Sequence, residues 1–268
     1  MNGNADNPSI PAETYSREYL LSPSLEGYAE FLDGGLSSAK HKQLLMLDLG
    51  PGIDLLEIGF GRGEFLRHCA GRCRSATGID YSQAAWEIAV ETLRGTPNAS
   101  VQVADCRALP FAAAAFDRVY SGDVIEHLSA SDGQRMLSEA WRVLRPGGTL
   151  LIHTSPNAAF MRFVYPLARR LLSFGNRAAI ERLDAHLDVG RHVHLHEYDL
   201  RHLKRAARLA GMDDVDAWID ADILRSGASW HTQTLQANPL VRLAAMLGRL
   251  APLRYFLGND LYLRCRKP

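Results

Sequence analysis

Between Ile53 and Leu151 short apolar runs alternate with helical periodicities, and few folds accept that alternation. IDLLEI (53–58) reads as a strand and is followed by the glycine-rich turn GFGRG. A helix then places Phe65, Leu66, Cys69 and Ala70 on one face. ATGID ends a second strand at Asp80, and Ser82 is placed to cap a helix whose stripe is Ala85, Ile88, Ala89 and Leu93. VQVAD (101–105) and FDRVYS (116–121) are further strands. Ser131 and Gln134 fit a capping box ahead of the stripe Met136, Leu137, Ala140, Trp141 and Leu144, and RPGG turns the chain into TLLIHT (149–154). Strands alternating with helices imply a parallel sheet covered on both faces. Right-handed crossovers leave a ligand crevice at the carboxyl ends of its strands. The polar clusters fall at those ends: Glu57 to Gly63, Asp80, Asp105, Ser121 to His127, and His153 to Asn157.

The flanking segments read differently. Residues 1–12 are a polar lead-in expected to be disordered, and 13–48 form an N-terminal helical cap. Residues 158–183 are helical, apolar and basic, and open a lid insertion that extends to 198. A well-made helix runs from Asp199 as cap to Gly211 as stop. A sixth strand is expected around 212–222 and a last one at LYLRC (261–265), with a helical insertion over 223–258. The expectation is one α/β domain over 13–268, doubly wound and Rossmann-like.

Composition narrows the function classes. Thirty Lys+Arg balance thirty Asp+Glu, so bulk electrostatics give no case for a nucleic-acid binder. No run has the length of a transmembrane helix, and no basic-then-apolar leader is visible. Cys69, Cys73, Cys106 and Cys265 lack the spacing of a zinc site and read as buried thiols of a reducing cytoplasm.

LLEIGFGRGEF is the most informative string. Gly59, Gly61 and Gly63 allow a turn to pass close to a ligand. Asp80, about twenty residues on, ends the next strand where an acid accepts from ribose hydroxyls, and Asp105 ends the third, within reach of an adenine amino group. Dinucleotide binding prefers G-x-G-x-x-G and a pyrophosphate at the helix start. Here Glu57 would repel a pyrophosphate and suits a ligand carrying ammonium or sulfonium. LLEIGFGRGEF, GIDYS, VQVADCRALPF, FDRVYSGDVIEHL and LRPGGTLLIHTSPN, in that order, resemble the class I S-adenosylmethionine-dependent methyltransferases over roughly residues 26–212. The resemblance implies a mostly parallel seven-stranded sheet with an antiparallel last hairpin. It implies that Glu57, Gly59, Gly61 and Gly63 surround the methionine moiety of the donor, and that Asp80 binds the ribose with Tyr81 beside the adenine. Asp105 and Cys106 would hold the adenine edge, with Ser121 to Asp123 near the sulfonium. Phe60 departs from the family, which commonly has a small residue or cysteine there.

An oxygen acceptor needs its proton removed, and His127 in DVIEHL is the first candidate base, followed by His153 in IHTSPN. HTSPN before FMRFVYP, together with GYAEF (27–31), resembles bacterial methyltransferases of small-molecule and glycan-modifying roles. A small-molecule acceptor follows, with its identity and the oligomeric state left open. RHVHLHEY (191–198) carries three alternate histidines and reads as the pocket wall opposite the sulfonium, with His194 in the acceptor pocket. A narrower resemblance links Asp123-x-x-Glu126-His127 and His194 with Glu197 to metal-dependent members, the small-RNA terminal 2′-O-methyltransferases and certain ubiquinone-pathway O-methyltransferases. It implies a divalent ion on Asp123, Glu126, His127 and His194, although Asp replaces the family's first Glu. From Ile223 to Asn259 there is no acid, while Arg225, Arg242, Arg249 and Arg254 are basic, and the lid carries Arg162, Arg169, Arg170 and Arg177. These helices read as amphipathic packing elements, or as a pocket for an acidic amphipathic acceptor or a contact with an anionic membrane. A non-catalytic cofactor-binding regulatory module and a nicotinamide-linked oxidoreductase are the competing classes.

Overall fold

In the computed structural model, which describes residues 10–173, 193–220 and 239–268, seven strands form one sheet. They are β1 (Asp54–Ile58), β2 (Ser75–Asp80), β3 (Ala99–Val103), β4 (Phe116–Gly122), β5 (Leu144–Thr154), β6 (Val215–Ile219) and β7 (Leu261–Arg266). Their order is β3-β2-β1-β4-β5-β7-β6. β1 to β5 pair in parallel, and β7 is antiparallel to both β5 and β6. The doubly wound, mostly parallel sheet with an antiparallel last strand is therefore present.

Strand alternation divides the core into two layers. Leu56, Ile58, Val119, Leu150 and Ile152 share a cluster with Met136, Leu137 and Ala140 of the helix Ala130–Val143. Leu55, Tyr120 and Leu151 face the opposite way, onto Phe65, Leu66 and Cys69 of the helix Glu64–Ala70. That second layer also takes Leu44 of Ser38–Met46. The helix expected to be capped at Ser131 starts earlier: Ser129 is the cap, and its hydroxyl accepts from the Asp132 N–H at 3.2 Å. RPGG does not end before β5 but lies inside it, where the register with β4 shifts between Phe116 and Arg118.

The N-terminal segment folds across the carboxyl edge of the sheet. It contains the short helices Arg17–Leu20 and Tyr28–Leu32 and the longer Ser38–Met46. Arg62, in the glycine turn, ties it down by donating to the Leu20 and Glu26 carbonyls at 3.4 and 3.0 Å and lying over the Phe31 ring at 5.1 Å. Lys42 closes the other end on Asp220, 2.6 Å away after β6. Residues 10–12, expected to be disordered, are described, and Ala12–Thr14 form a short 3-10 turn. Of the predicted lid, Phe160–Val164 is a π-helical turn leading into Tyr165–Ser173; its remainder to residue 192, including His192, lies outside the described residues. Of the 223–258 insertion, the helices Pro239–Gly248 and Ala251–Leu257 are described.

Candidate active site

A cavity of about 620 Å³ opens at the carboxyl ends of β1, β2 and β4, under the N-terminal segment. Its floor is the glycine turn. Gly59 and Gly61 have φ of +81° and +51°, where a side chain is strained. They differ in surroundings: a Cβ on Gly59 would collide with the Val124 side chain, whereas one on Gly61 would meet no heavy atom within 4 Å. Both line the cavity, while Gly63 starts the next helix and packs on Ala89. Only the first two can touch a ligand.

Asp80 is built to receive one. Its carboxylate accepts the Gly61 N–H and the Ser82 N–H, each at 3.0 Å, which fixes it at the cavity wall. Burial nevertheless raises its pKa. Tyr81 and Cys106 line the same end, and burial pushes the Cys106 thiol up to about 12, so it is a neutral wall. Asp105 also lines the cavity but is gripped by Arg107 through both oxygens at 2.7–2.9 Å, which lowers its pKa.

Two residues expected around the donor are elsewhere. Glu57 is 3% exposed and does not line the cavity. It sits on the face of β1 opposite Ile58, beneath the turn, and burial pushes its pKa well up despite Lys40. The charge-repulsion argument against a pyrophosphate therefore loses its footing, because the carboxyl lies outside the cavity and burial opposes its ionisation. Ser121 is likewise fully buried, its hydroxyl without a partner, and leaves the wall to Gly122 and Asp123.

The other end of the cavity is rich in titratable groups. Asp123 takes φ +55°, which turns its half-exposed carboxylate into the cavity. His153 lies between carboxylates, with Nδ1 3.1 Å from Asp123 and Nε2 3.1 Å from Asp260. Burial opposes its charge, but the two acids raise its pKa to about 10. The two carboxylates favour the protonated ring, which makes His153 a poorer proton acceptor than His127. His127 is the opposite case. Burial and His194, at 4.9 Å between ring centroids, lower its pKa to about 4, so it is neutral with a lone pair. Its Nδ1 lies 2.8 Å from the Tyr15 hydroxyl and 3.1 Å from the Val193 carbonyl. A carbonyl only accepts, so donation to Val193 puts the proton on Nδ1 and frees Nε2; donation by Tyr15 reverses the tautomer.

Glu126, His127 and His194 bring one ligand atom each within 4.8 Å of one another. Asp123, the fourth expected ligand, is not in that group. Burial and Asp123 push Glu126 up to about 8, and it accepts from the Thr154 hydroxyl at 2.8 Å. His194 lines the cavity, held through Leu195 and His196, whose N–H groups donate to the Glu126 carbonyl at 2.8 and 3.1 Å.

Sequence reasoning missed Tyr15, Tyr19, Lys40 and Arg62, all of which line the cavity. Tyr15 and Tyr19 stand four residues apart, before and within the helix Arg17–Leu20, and meet edge-on at 5.3 Å, a spacing visible in the sequence but uninformative without the pocket. Lys40 pairs with buried Glu64 at 2.6 Å.

Residues 56–152 match the family model described as a methyltransferase domain. Phosphoethanolamine N-methyltransferase 2 of Caenorhabditis elegans is 33% identical over 108 residues, 39% of this chain and 24% of that protein. Demethylmenaquinone methyltransferase of Staphylococcus aureus is 28% identical over 160 residues, 53% of this chain and 66% of that protein. The chain spans less than half the length of the first curated relatives it matches, 40%, 34% and 24%. Among solved structures, Haemonchus contortus phosphoethanolamine N-methyltransferase 2, with phosphomonomethylethanolamine and S-adenosylhomocysteine, shares the fold at TM-score 0.61 and 18% identity. That likeness covers 97% of this chain and 61% of that one. The matched domain, the strand order and the glycine turn facing Asp80 agree: residues 56–152 carry a methyltransferase domain, and the chain is similar to the class I S-adenosylmethionine-dependent methyltransferases.

Proposed function

We propose that this chain methylates a hydroxyl of a small molecule, with S-adenosylmethionine as donor. The open space at Gly61 beside the Asp80 carboxylate fits the donor's ribose and methionine ends, and Tyr81, Asp105 and Cys106 fit its adenine. Lys40 and Arg62 supply cationic groups for the methionine carboxylate. When bound, the donor supplies a methyl group on sulfur that leaves without its bonding electrons. The acceptor oxygen forms the new C–O bond with a lone pair, the C–S pair stays on sulfur, and the hydroxyl proton goes to His127.

The observation that carries this reading is the His127 imidazole in the cavity lining, its ring fixed by Tyr15 and Val193; burial lowers its pKa, which leaves a ring nitrogen open to a proton at some cost in base strength. A neutral amine attacks without prior loss of a proton, whereas a hydroxyl gains from a base, typically 10²–10⁴-fold. The names of the matched relatives cover nitrogen, oxygen and carbon methylation, so the relatives do not choose the acceptor and the base beside the cavity argues for oxygen. Labelled donor incubated with fractionated small-molecule extract, followed by mass analysis of the product, tests it. A methyl group found on nitrogen or carbon, or turnover by His127→Ala within threefold of the parent, overturns the oxygen reading.

A second reading rests on the Glu126, His127 and His194 group. These donors suit a divalent ion that polarises the acceptor hydroxyl. Turnover after exhaustive chelation, with and without Mg²⁺, Mn²⁺ or Fe²⁺, separates the two, because full turnover in chelator leaves only the base.

A further inference from the structure

Beyond the cavity, the described parts of the two insertions form an exposed surface that is both apolar and basic. The π-helical turn Phe160–Val164 with Tyr165–Ser173, and the helices Pro239–Gly248 and Ala251–Leu257, pack together, with Phe163 meeting Phe256 edge-on at 6.0 Å. Their apolar residues should cover one another. Instead Phe163 is 56% exposed, Met246 60% and Leu250 55%, with Leu167, Leu243 and Leu253 also exposed. Leu243 and Met246 lie three apart on one face of the helix Pro239–Gly248, and Leu250 follows at the turn into Ala251–Leu257. Exposed Arg162, Arg242 and Arg249 flank the apolar groups. Neither 155–173 nor 239–257 contains a single Asp or Glu, in a chain whose acids and bases balance at thirty each. Single exposed apolar residues are ordinary, but this many on adjoining elements, interleaved with one sign of charge, mark an interaction surface.

We propose that this face docks on an anionic phospholipid bilayer, lying in the headgroup plane with its apolar residues inserted. The two halves of the surface match the two layers of such a membrane: arginines at the phosphates, Phe163, Leu243, Met246 and Leu250 below them. A second copy of the chain fits poorly, since a two-fold contact sets this arginine-bearing, acid-free face against itself. Nucleic acid would be served by the arginines but leaves the protruding aliphatic residues without a partner. The helices are 9, 10 and 7 residues long, so they can lie on a bilayer and cannot cross it. The docking face adjoins the cavity rim: Met161 and Asn259 line the cavity, and Asn157 donates from its amide to the Tyr255 and Gly258 carbonyls at 3.0 and 2.9 Å. Docking would therefore bring the cavity mouth to the membrane surface. The proposal stands whether or not the acceptor is a hydroxyl.

Flotation of the full chain with vesicles tests it. Vesicles of phosphatidylcholine with 30 mol% phosphatidylglycerol should carry the protein at about 50 mM salt, pure phosphatidylcholine vesicles should not, and about 500 mM salt should release it. Each arginine near an anionic surface contributes about 1 kcal/mol, or about fivefold. The triple variant Arg162→Glu, Arg242→Glu, Arg249→Glu should then lose on the order of a hundredfold in partitioning. Met246→Asp should lose at least tenfold with the charges intact. None of these four residues lines the cavity, so S-adenosylhomocysteine binding by each variant should equal the parent's and certifies its fold. Absence of flotation with anionic vesicles, equal flotation with phosphatidylcholine alone, or undiminished flotation of the triple variant overturns the proposal. So does a concentration-dependent dimer that Met246→Asp dissociates, which would assign the face to self-association.

Discussion

Gly61→Ala separates what the fold requires of the glycine turn from what a ligand requires. At φ +51° a side chain is strained, by about 1–2 kcal/mol for a left-handed residue. Nothing else opposes it in the free protein, because no heavy atom lies within 4 Å of the added methyl. At roughly 2–4 °C per kcal/mol for a chain of this size, the melting temperature should fall by about 2–8 °C. Ligand binding should suffer separately, since the methyl stands on the cavity wall beside Asp80. Inserting a methyl group into a close-packed contact costs about 1–3 kcal/mol, which is roughly 5- to 150-fold in affinity. Gly59→Ala is the control. There the methyl collides with Val124, so strain and overpacking add to roughly 2–5 kcal/mol and the fold itself should weaken more. Calorimetric titration with S-adenosylhomocysteine and a thermal melt of each variant suffice. Full affinity in Gly61→Ala would mean that the donor does not touch this turn, and equal melting losses in the two variants would refute the division of their roles.

Two pH-dependent expectations follow from the buried charges. His153 has its pKa raised to about 10 between Asp123 and Asp260, so its stabilising charge is fully present below the unfolded value of about 6.5 and is lost as pH rises through 10. Thermal melts at pH 6, 8 and 10 should fall more steeply for the parent than for His153→Gln; parallel curves would refute the charged state. Glu64 is the reverse: burial would raise it, but Lys40 and Arg62 hold it down to about 2, so its contribution is complete above about 4.5 and disappears as pH falls toward 2. Glu64→Gln strands those cations and should cost about 3–5 kcal/mol at pH 7 by denaturant titration, and much less at pH 2; an unchanged midpoint at pH 7 would remove the cluster from the stability of the turn.

The sheet and donor crevice were legible because their signals are local. Each strand, turn and helix between Ile53 and Thr154 carries its own periodicity, and the acids at Asp80 and Asp105 follow their strands directly. Glu57 was misread although the information was present: Leu56 and Ile58 are the apolar partners of one face, so parity sends Glu57 through the sheet, away from the crevice. The acceptor end could not be read the same way. Tyr15 meets His127 across 112 residues, and His153 meets Asp260 across 107. No periodicity encodes either contact. The histidines at the ends of β4 and β5 could be named and ordered from the sequence, but not told apart in charge, because burial and facing carboxylates, which lower His127 and raise His153, are properties of the assembled site.

The two ends of the cavity consequently answer to different parts of the chain. At the donor end Gly61 belongs to the strand-to-helix turn after β1, Asp80 to the end of β2 and Cys106 to the loop after β3, so their spacing is set by strand pairing in the parallel sheet. At the acceptor end Tyr15 comes from the N-terminal segment, His127 from the end of β4 and His194 from the insertion after β5. Those three meet only when both flanking segments are seated, the first through Arg62 and the second through the Leu195 and His196 N–H bonds to Glu126. Substitutions that loosen the second anchor should therefore leave donor affinity nearly intact while lowering turnover, whereas substitutions at Gly61 should act on donor affinity directly and those at Arg62 on both. The same architecture allows the acceptor to differ between superfamily members while the donor stays the same, because the sheet holds one and the flanking segments shape the other.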